Sequence, residues 1–158
     1  MEKTSIEQTV ADKLKKKKLH ISFAESCTGG LCAARFISAS GASEVLDASL
    51  ITYSVNAKIK YLGIDKNLID KYGVVSEETA LAMAKGAALK NSADIGVGVT
   101  GFAGPTSDDP KIPVGTVCFG FYDRGKEICF TKHFKDMNRN KVRLSASDFV
   151  FEKLNEII

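Results

Sequence analysis

At 158 residues and 17.0 kDa, with 44% hydrophobic and 26% charged residues, the chain has the size and composition of one globular domain spanning residues 1–158. The net charge of +3 combines 22 basic with 19 acidic residues, and this mixed surface argues against nucleic acid as a partner. No apolar run approaches the roughly 20 residues that a membrane-spanning helix needs, so we expect no membrane association.

The first half of the sequence predicts helices alternating with strands. A helix is predicted to begin at Thr4, where Thr4 and Glu7 form a capping box. Hydrophobic alternation then predicts a strand that ends in a polar turn, Glu25 to Gly30, followed by a helix over 31–38. A second strand is predicted over 48–54, and a helical stretch over 57–62 places Lys58 just beyond it.

The second half continues this alternation and ends in a hairpin and a helix. After a short helix stopped by Gly73, Ser76 is predicted to cap a longer helix, which leads to a strand over 94–100 and a polar loop. Strands over 114–122 and 127–134 flank a turn at 123–125, and an amphipathic helix begins near Asn138. This order predicts a layered α/β domain with a mixed sheet.

The sequence offers little for a metal or a dinucleotide. His20 and His133 have no histidine or cysteine at ligand spacing, and the acidic pair Asp108 and Asp109 is interpreted as a solvated loop. Glycines at 96, 98 and 101 match the dinucleotide fingerprint formally, but they lie within and just after a strand. We interpret them as positions of close backbone approach and expect neither a metal nor a cofactor.

Hydrolytic nucleophiles are more plentiful, and they lie within a span that begins where the first strand ends. They are Ser26, Cys27, Thr28, Ser40 and Ser43. With two poorly placed histidines, the lysine just beyond the second strand is the better partner base, which requires desolvation to lower its pKa. The same side chains can instead cap helices or lie on the surface, so the residues alone leave catalysis open.

Five motifs in order resemble the CinA C-terminal domain, or PncC, family over nearly the whole chain. They are Ala24 to Gly30, Tyr53-Ser54 with Ala57-Lys58, Tyr72 to Glu78, Thr100 to Pro105 and Pro113 to Val117. The resemblance implies a three-layer α/β/α homodimer of the cytoplasm that deamidates nicotinamide mononucleotide (NMN) to nicotinic acid mononucleotide and ammonia without a cofactor. The start of the sequence, Met1-Glu2-Lys3-Thr4, lacks a signal-peptide run, which fits that compartment.

The resemblance also assigns residues. The family's serine segment falls on Gly41-Ala42-Ser43 and implies that Ser43 is the nucleophile, Lys58 its base and Tyr53 a further catalytic residue. Polar positions of the family site fall on Ser26 and Thr100, with Gly101 beside the latter, and a family arginine that opens the last helix falls on Arg143.

For the phosphate of the nucleotide we expect Arg143 and the turn that contains Thr28, Gly29 and Gly30, because helix-start amides and guanidinium groups favour anions. Three alternatives stay open. The first is a competence-associated module that senses a nucleotide or contacts a protein without turnover. The others are a hydrolase of another small amide and a cysteine hydrolase that uses Cys27.

Overall fold

Five strands form one mixed sheet in the computed structural model, which describes residues 4–158. The strands are β1 (Ile21–Glu25), β2 (Leu50–Ile51), β3 (Ile95–Gly101), β4 (Thr116–Asp123) and β5 (Lys126–His133). Their spatial order is β2-β1-β3-β4-β5, in which β2, β1 and β3 run parallel and β3, β4 and β5 run antiparallel. The residues 1–3, on which the signal-peptide argument rests, lie outside the described part.

Helices cover both faces of this sheet. They are α1 (Ile6–Lys17), α2 (Leu31–Phe36), α3 (Val55–Leu62), α4 (Lys66–Tyr72), α5 (Glu77–Lys90) and α6 (Arg139–Ile157). Phe23 of β1 packs in a large apolar cluster with α1, α2 and α6, whereas the next residue, Ala24, packs with α3, α4 and α5 on the other face. Alternate residues of a strand point to opposite faces, so the three-layer α/β/α prediction is confirmed.

Side-chain caps determine where most of the helices begin. The capping side chains, each of which accepts a backbone N–H of the first turn, are those of Ser5, Ser54, Asp65, Ser76 and Asn138. The predicted cap at Ser76 and the predicted helix start near Asn138 are confirmed, but the first helix is capped by Ser5 and not by Thr4.

The second predicted strand is shorter than expected. Only Leu50 and Ile51 of the predicted run 48–54 pair with β1. The chain leaves the sheet at Thr52, and because Ser54 supplies a cap, α3 starts at Val55 instead of near Ala57. Lys58 therefore lies inside α3, one turn from the edge of the sheet, and its side chain can turn back towards the strand ends.

Glycines on β3 and β4 allow α5 to lie directly against the sheet. A Cβ at Gly96 would lie 1.9 Å from the carbonyl oxygen of Ala84, and a Cβ at Gly98 would lie 2.1 Å from that of Ala80. Gly120 of β4 faces the same carbonyl at 2.3 Å. The interpretation of these glycines as positions of close approach is confirmed, and they do not form a dinucleotide turn.

We expect Gly98→Ala to destabilise the protein by more than about 3 kcal/mol, because the obstructing atoms belong to the backbone of α5 and cannot rotate away. The control is Gly63→Ala, where φ is 69° and the new Cβ meets only the end of the Lys90 side chain at 3.4 Å. That variant should lose about 1–2 kcal/mol. Urea denaturation of both variants measures the difference, and equal losses would contradict the packing argument.

Within the described residues, no helix combines the length and the apolar character that crossing a membrane would require.

Candidate active site

The side chain of Lys58 is completely buried at the ends of the two parallel strands β1 and β2. Its Nζ lies 3.0 Å from the hydroxyl oxygen of Ser26, the first residue after β1. The carbonyl oxygens of Thr52 and Tyr53, just after β2, lie 2.6 Å and 3.4 Å from the same nitrogen. Thr52 itself is tied to β1, because its N–H donates to the carbonyl of Glu25. The lysine is therefore surrounded by uncharged oxygens.

This environment shifts the protonation equilibrium of Lys58 towards the neutral amine. No carboxylate lies within 4 Å of its nitrogen in the described part of the chain, and burial lowers the pKa from 10.5 to about 8. A neutral amine has two N–H donors and one lone pair. In the protonated state Nζ donates to both carbonyls and to the hydroxyl oxygen of Ser26. In the neutral state the two carbonyls can accept its two N–H groups, which leaves the lone pair for the hydroxyl of Ser26. The geometry thus suits a lysine that takes a proton from a serine.

The turn that holds Ser26 is fixed by Glu25, the last residue of β1. The Glu25 carboxylate is 1% exposed and accepts the N–H groups of Cys32 and Ala33 at 2.8 Å and 3.0 Å. These are amides at the start of α2, so the carboxylate occupies the place where a bound anion would otherwise be held. The amides of Cys32 and Ala33 are therefore already engaged by a side chain of the protein, while the predicted phosphate contacts of Thr28, Gly29 and Gly30 stay predictions.

Arg143 stabilises the same turn from the side of α6. Its guanidinium donates to the carbonyl oxygens of Cys27 and Thr28 at 3.0 Å and 3.1 Å, and to the side chain of Asn140 at 3.3 Å. Gly29 has a φ of 60° and lies so close to Arg143 that a Cβ there would meet Nη2 at 3.3 Å. Arg143 is therefore engaged in holding backbone carbonyls together, and it does not line the cavity beside Ser26; its predicted contact with a phosphate stays a prediction.

Thr28 and Gly30 belong to the body of the turn. Thr28 is fully buried, and Gly30 begins α2 with a φ of 98°, where a Cβ would lie 2.9 Å from Ile51 Cδ1. Neither residue lines the cavity beside Ser26. Sequence reasoning grouped them with the ligand-binding residues, but the structure uses them to bring β1, α2 and β2 close together.

A cavity of about 280 Å³ opens directly beside Ser26. Of the predicted residues, Ser26, Tyr53, Thr100 and Gly101 line it. The Thr100 hydroxyl donates to the carbonyl of Val74 at 2.9 Å, so its proton is already used. The structure therefore brings four predicted residues to one cavity whose inner end is the Ser26–Lys58 contact.

Ser43 is absent from this cavity. It is exposed on a short 3₁₀ helix, Ala42–Glu44, and lines a separate concavity beyond α2. The chain from Ser26 to Ser43 passes through α2, which carries it away from the strand ends. The expected contact between Ser43 and Lys58 is therefore corrected within this chain: Ser26 takes that place.

The arginine that opens the last helix is Arg139, which sequence reasoning missed. It follows the cap Asn138, donates to the carbonyl of Gly104 at 2.6 Å and to the hydroxyl of Tyr53 at 2.9 Å, and lines the cavity. The signal was present, since Asn138 was predicted to begin the helix and the next residue is an arginine. A guanidinium at a helix start is well placed for an anion.

The cysteine and histidine candidates are buried or in contact with other groups of the protein. Burial raises the pKa of the Cys27 thiol to about 12, which keeps it protonated. His20 pairs with Asp47, and His133 contacts the carbonyl of Val114. Among residues 4–158 no group of three or more histidine, cysteine or acidic side chains is arranged around a common centre for a metal.

The family model for the CinA C-terminal domain matches residues 3–158. The chain belongs to the CinA C-terminal domain family. Its curated relatives include CinA-like proteins of Dictyoglomus thermophilum, 44% identical over 93% of this chain, and of Kosmotoga olearia, 45% identical over 94%. This CinA domain corresponds to 36% of each of those two relatives, so it spans about a third of their length.

Solved structures agree with this assignment. A CinA superfamily protein from Escherichia coli has a TM-score of 0.92 and 28% identity, covering 100% of this chain and 95% of its own. The competence/damage inducible protein CihA from Agrobacterium tumefaciens has a TM-score of 0.86 and 33% identity, covering 98% and 96%. The five-stranded α/β/α fold is therefore that of the CinA superfamily. The cytoplasmic location and the homodimer stay predictions.

The depressed pKa of Lys58 predicts a pH dependence of stability in this CinA domain. Between pH 8 and 10.5 the unfolded chain binds more protons at this position than the folded one. The contribution of Lys58 to the free energy of unfolding should therefore increase as the pH rises from 8 to 10.5, and decrease again as the pH falls to 8. Lys58→Met removes the titrating group. The matched control is Lys60→Met, because Lys60 is exposed on the same helix.

We expect the difference between wild type and Lys58→Met to change by about 2–4 kcal/mol across this window, from the linkage of about 1.4 kcal/mol per pKa unit. The difference between wild type and the Lys60 control should stay flat. Chemical denaturation at several pH values measures both. A flat difference for Lys58→Met would show that the lysine is not desolvated in the folded state.

Proposed function

We propose that this domain hydrolyses the carboxamide of NMN to nicotinic acid mononucleotide and ammonia, with Ser26 as the nucleophile and Lys58 as its base. The observation that carries the proposal is the 3.0 Å contact between the buried Lys58 nitrogen and the Ser26 hydroxyl at the inner end of a cavity. Nucleophile and base within hydrogen-bond distance, in a site whose burial lowers the pKa of the base to about 8, are what Ser–Lys hydrolysis requires.

Ser26 replaces Ser43 in this proposal for geometric reasons. A general base must lie within hydrogen-bond reach of the proton it removes, and Ser26 meets this condition with Lys58. Ser26 also directly follows a parallel strand and precedes a tight turn into a helix. The nucleophile of the α/β-hydrolases occupies a strand-to-helix turn of this kind, which exposes the hydroxyl at the edge of the sheet.

The reaction proceeds in two halves. Neutral Lys58 takes the proton of Ser26, whose oxygen bonds to the carboxamide carbon and forms a tetrahedral oxyanion. Protonated Lys58 then gives that proton to the amide nitrogen, the C–N bond breaks, and ammonia leaves an ester on Ser26. In the second half Lys58 takes a proton from water, the resulting hydroxide attacks the ester, and the proton returns to the serine oxygen as the acid leaves.

The N–H of Cys27 is the best-placed donor for the oxyanion. It belongs to the residue after the nucleophile, and in the described part of the chain it donates to no other residue. Arg143 holds the Cys27 carbonyl on the opposite side of the turn. Such a preorganised donor contributes about 3 kcal/mol in comparable enzymes. The Thr100 hydroxyl is not available as a donor, because it already donates to Val74.

The phosphate of NMN would bind Arg139. The guanidinium lies at the rim of the cavity, at the start of a 19-residue helix, and its two hydrogen bonds to Gly104 and Tyr53 fix its orientation. The Tyr53 hydroxyl accepts from Arg139 and keeps its own proton for the ligand. In the proposed binding mode the amide lies near Ser26 and the phosphate towards solvent.

Serine variants test the nucleophile. Ser26→Ala and Lys58→Met should each lower the rate of ammonia release from NMN by a factor of about 10³ or more, because both halves of the reaction need the pair. Ser43→Ala should stay within about threefold of wild type, since Ser43 lies outside the cavity. The measurement is ammonia release in the presence of a chelator, with folding checked by circular dichroism.

The pattern of results separates the alternatives. Loss of activity in Ser43→Ala with full activity in Ser26→Ala would show that the nucleophile is Ser43, as the family resemblance implies. An inactive wild type that binds NMN tightly would favour the sensing module. Release of ammonia from other small amides at a higher kcat/KM would assign the domain to a different amide substrate.

The arginine at the start of α6 should act on binding. Arg139→Met is expected to raise the KM for NMN by about tenfold or more, because a charge-assisted contact is lost. The KM for nicotinamide riboside, which lacks the phosphate, should change much less. Lys141→Met is the control, since Lys141 is an exposed cation in the same helical turn. Steady-state kinetics with both substrates measures how much each KM changes between variant and wild type. An equal increase in KM for both substrates would mean that Arg139 acts through Tyr53 and not on the phosphate.

A further inference from the structure

One carboxylate, that of Asp108, lies between the cavity at Ser26 and a second cavity. The second cavity has a volume of about 360 Å³, and both are lined by the same four residues, Tyr53, Val74, Phe102 and Asp108. These residues form the shared wall of one extended cleft. The wall combines two aromatic rings, an aliphatic side chain and a carboxylate, and its only charge is negative.

The carboxylate of Asp108 is free to bind a ligand. In residues 4–158 it makes no hydrogen bond and no ion pair with the protein. Its neighbour Asp109 differs, because one of its oxygens accepts the N–H of Lys111 at 2.9 Å. Asp109 also lines only the second cavity. Of the two loop carboxylates, Asp108 is thus the one presented to the cavity that contains Ser26.

Aromatic faces next to a carboxylate are suited to a flat cation. The negative face of an aromatic ring attracts a cation, and a nearby carboxylate adds a direct charge interaction. The ring of NMN is such a group, because its nitrogen is bonded to the ribose and the pyridinium carries a positive charge. A neutral nicotinamide or a dihydropyridine ring offers no charge to this wall.

We propose that Asp108, together with Phe102 and Tyr53, makes the site selective for amides on a positively charged ring. This inference rests on the proposed function and names the property of the substrate that the site recognises. The cleft then presents one charge for each end of the zwitterion: Asp108 for the pyridinium and Arg139 for the phosphate. The two side chains line the same cavity but form no ion pair with each other, so both remain available.

The test compares NMN with its reduced form, whose dihydropyridine ring is neutral while the amide, ribose and phosphate are kept. Asp108→Asn should raise the KM for NMN about three- to tenfold with kcat within about twofold, as expected for one partly exposed charge. The inhibition constant of reduced NMN against NMN turnover should change by less than about twofold. Asp109→Asn, which removes the same charge from the neighbouring residue, is the matched control and should leave both constants nearly unchanged.

Ionic strength provides a second readout. The effect of Asp108→Asn on NMN should shrink as salt is added, because screening weakens the interaction of exposed charges. An unchanged KM in Asp108→Asn, or an equal loss for the cationic and the neutral nucleotide, overturns the proposal while the amidase function stands. If the wild type releases no ammonia, the proposed function fails. Calorimetric titration of both nucleotides into wild type and Asp108→Asn then tests the charge preference separately.

Discussion

The position of the active site depends on how closely α5 approaches the sheet. Gly96, Gly98 and Gly120 leave no side chain between the strands and the backbone of α5. Helices α5 and α3 are also in close contact, because a Cβ at Gly86 of α5 would lie 2.5 Å from the carbonyl oxygen of Leu62 in α3. Strand, α5 and α3 are thus held at distances that only glycine permits. Because α3 carries Lys58, this packing determines how far its amine reaches towards the strand ends.

The burial of that amine is what gives the site its chemistry, and it opposes stability. A lysine surrounded by carbonyl and hydroxyl oxygens, without a carboxylate, loses part of its hydration and gains no ion pair. The folded state therefore lowers the pKa of the amine to about 8, which increases the share of neutral base that the proposed hydrolysis needs. A carboxylate beside Lys58 would make the protein more stable below that pH and would remove the base.

Much of the fold could be predicted from local sequence, because its signals are local. The cap at Ser76, the helix start near Asn138 and the hairpin between β4 and β5 depend on residues a few positions apart, and the structure confirms all three. The short strand β2 was overestimated, because whether a polar residue such as Thr52 continues the ladder depends on β1. Tertiary pairing, and not β-propensity, decided where that strand ends.

The site was harder to predict, because the decisive contacts join distant parts of the chain. Ser26 and Lys58 are 32 residues apart, and no spacing rule brings a serine after one strand to a lysine inside a helix. Resemblance placed the nucleophile at Ser43 and the helix-opening arginine at Arg143. The predicted helix start near Asn138 already indicated that the helix-opening arginine is Arg139 and not Arg143. For Ser26, its place directly after a strand was the available signal.

The residues that looked most like ligand contacts in the sequence are those that make the turn rigid. Glu25 accepts the amides of Cys32 and Ala33 at the start of α2, and Arg143 donates to the carbonyls of the same turn, so these groups are already engaged within the protein. The turn consequently has one orientation, with the Ser26 hydroxyl towards Lys58. In the proposed function, recognition comes from outside the turn, from side chains that still have unused donors or acceptors. Arg139 and Asp108 meet that condition on the rim of the cleft, which separates the groups that select a substrate from those that react with it.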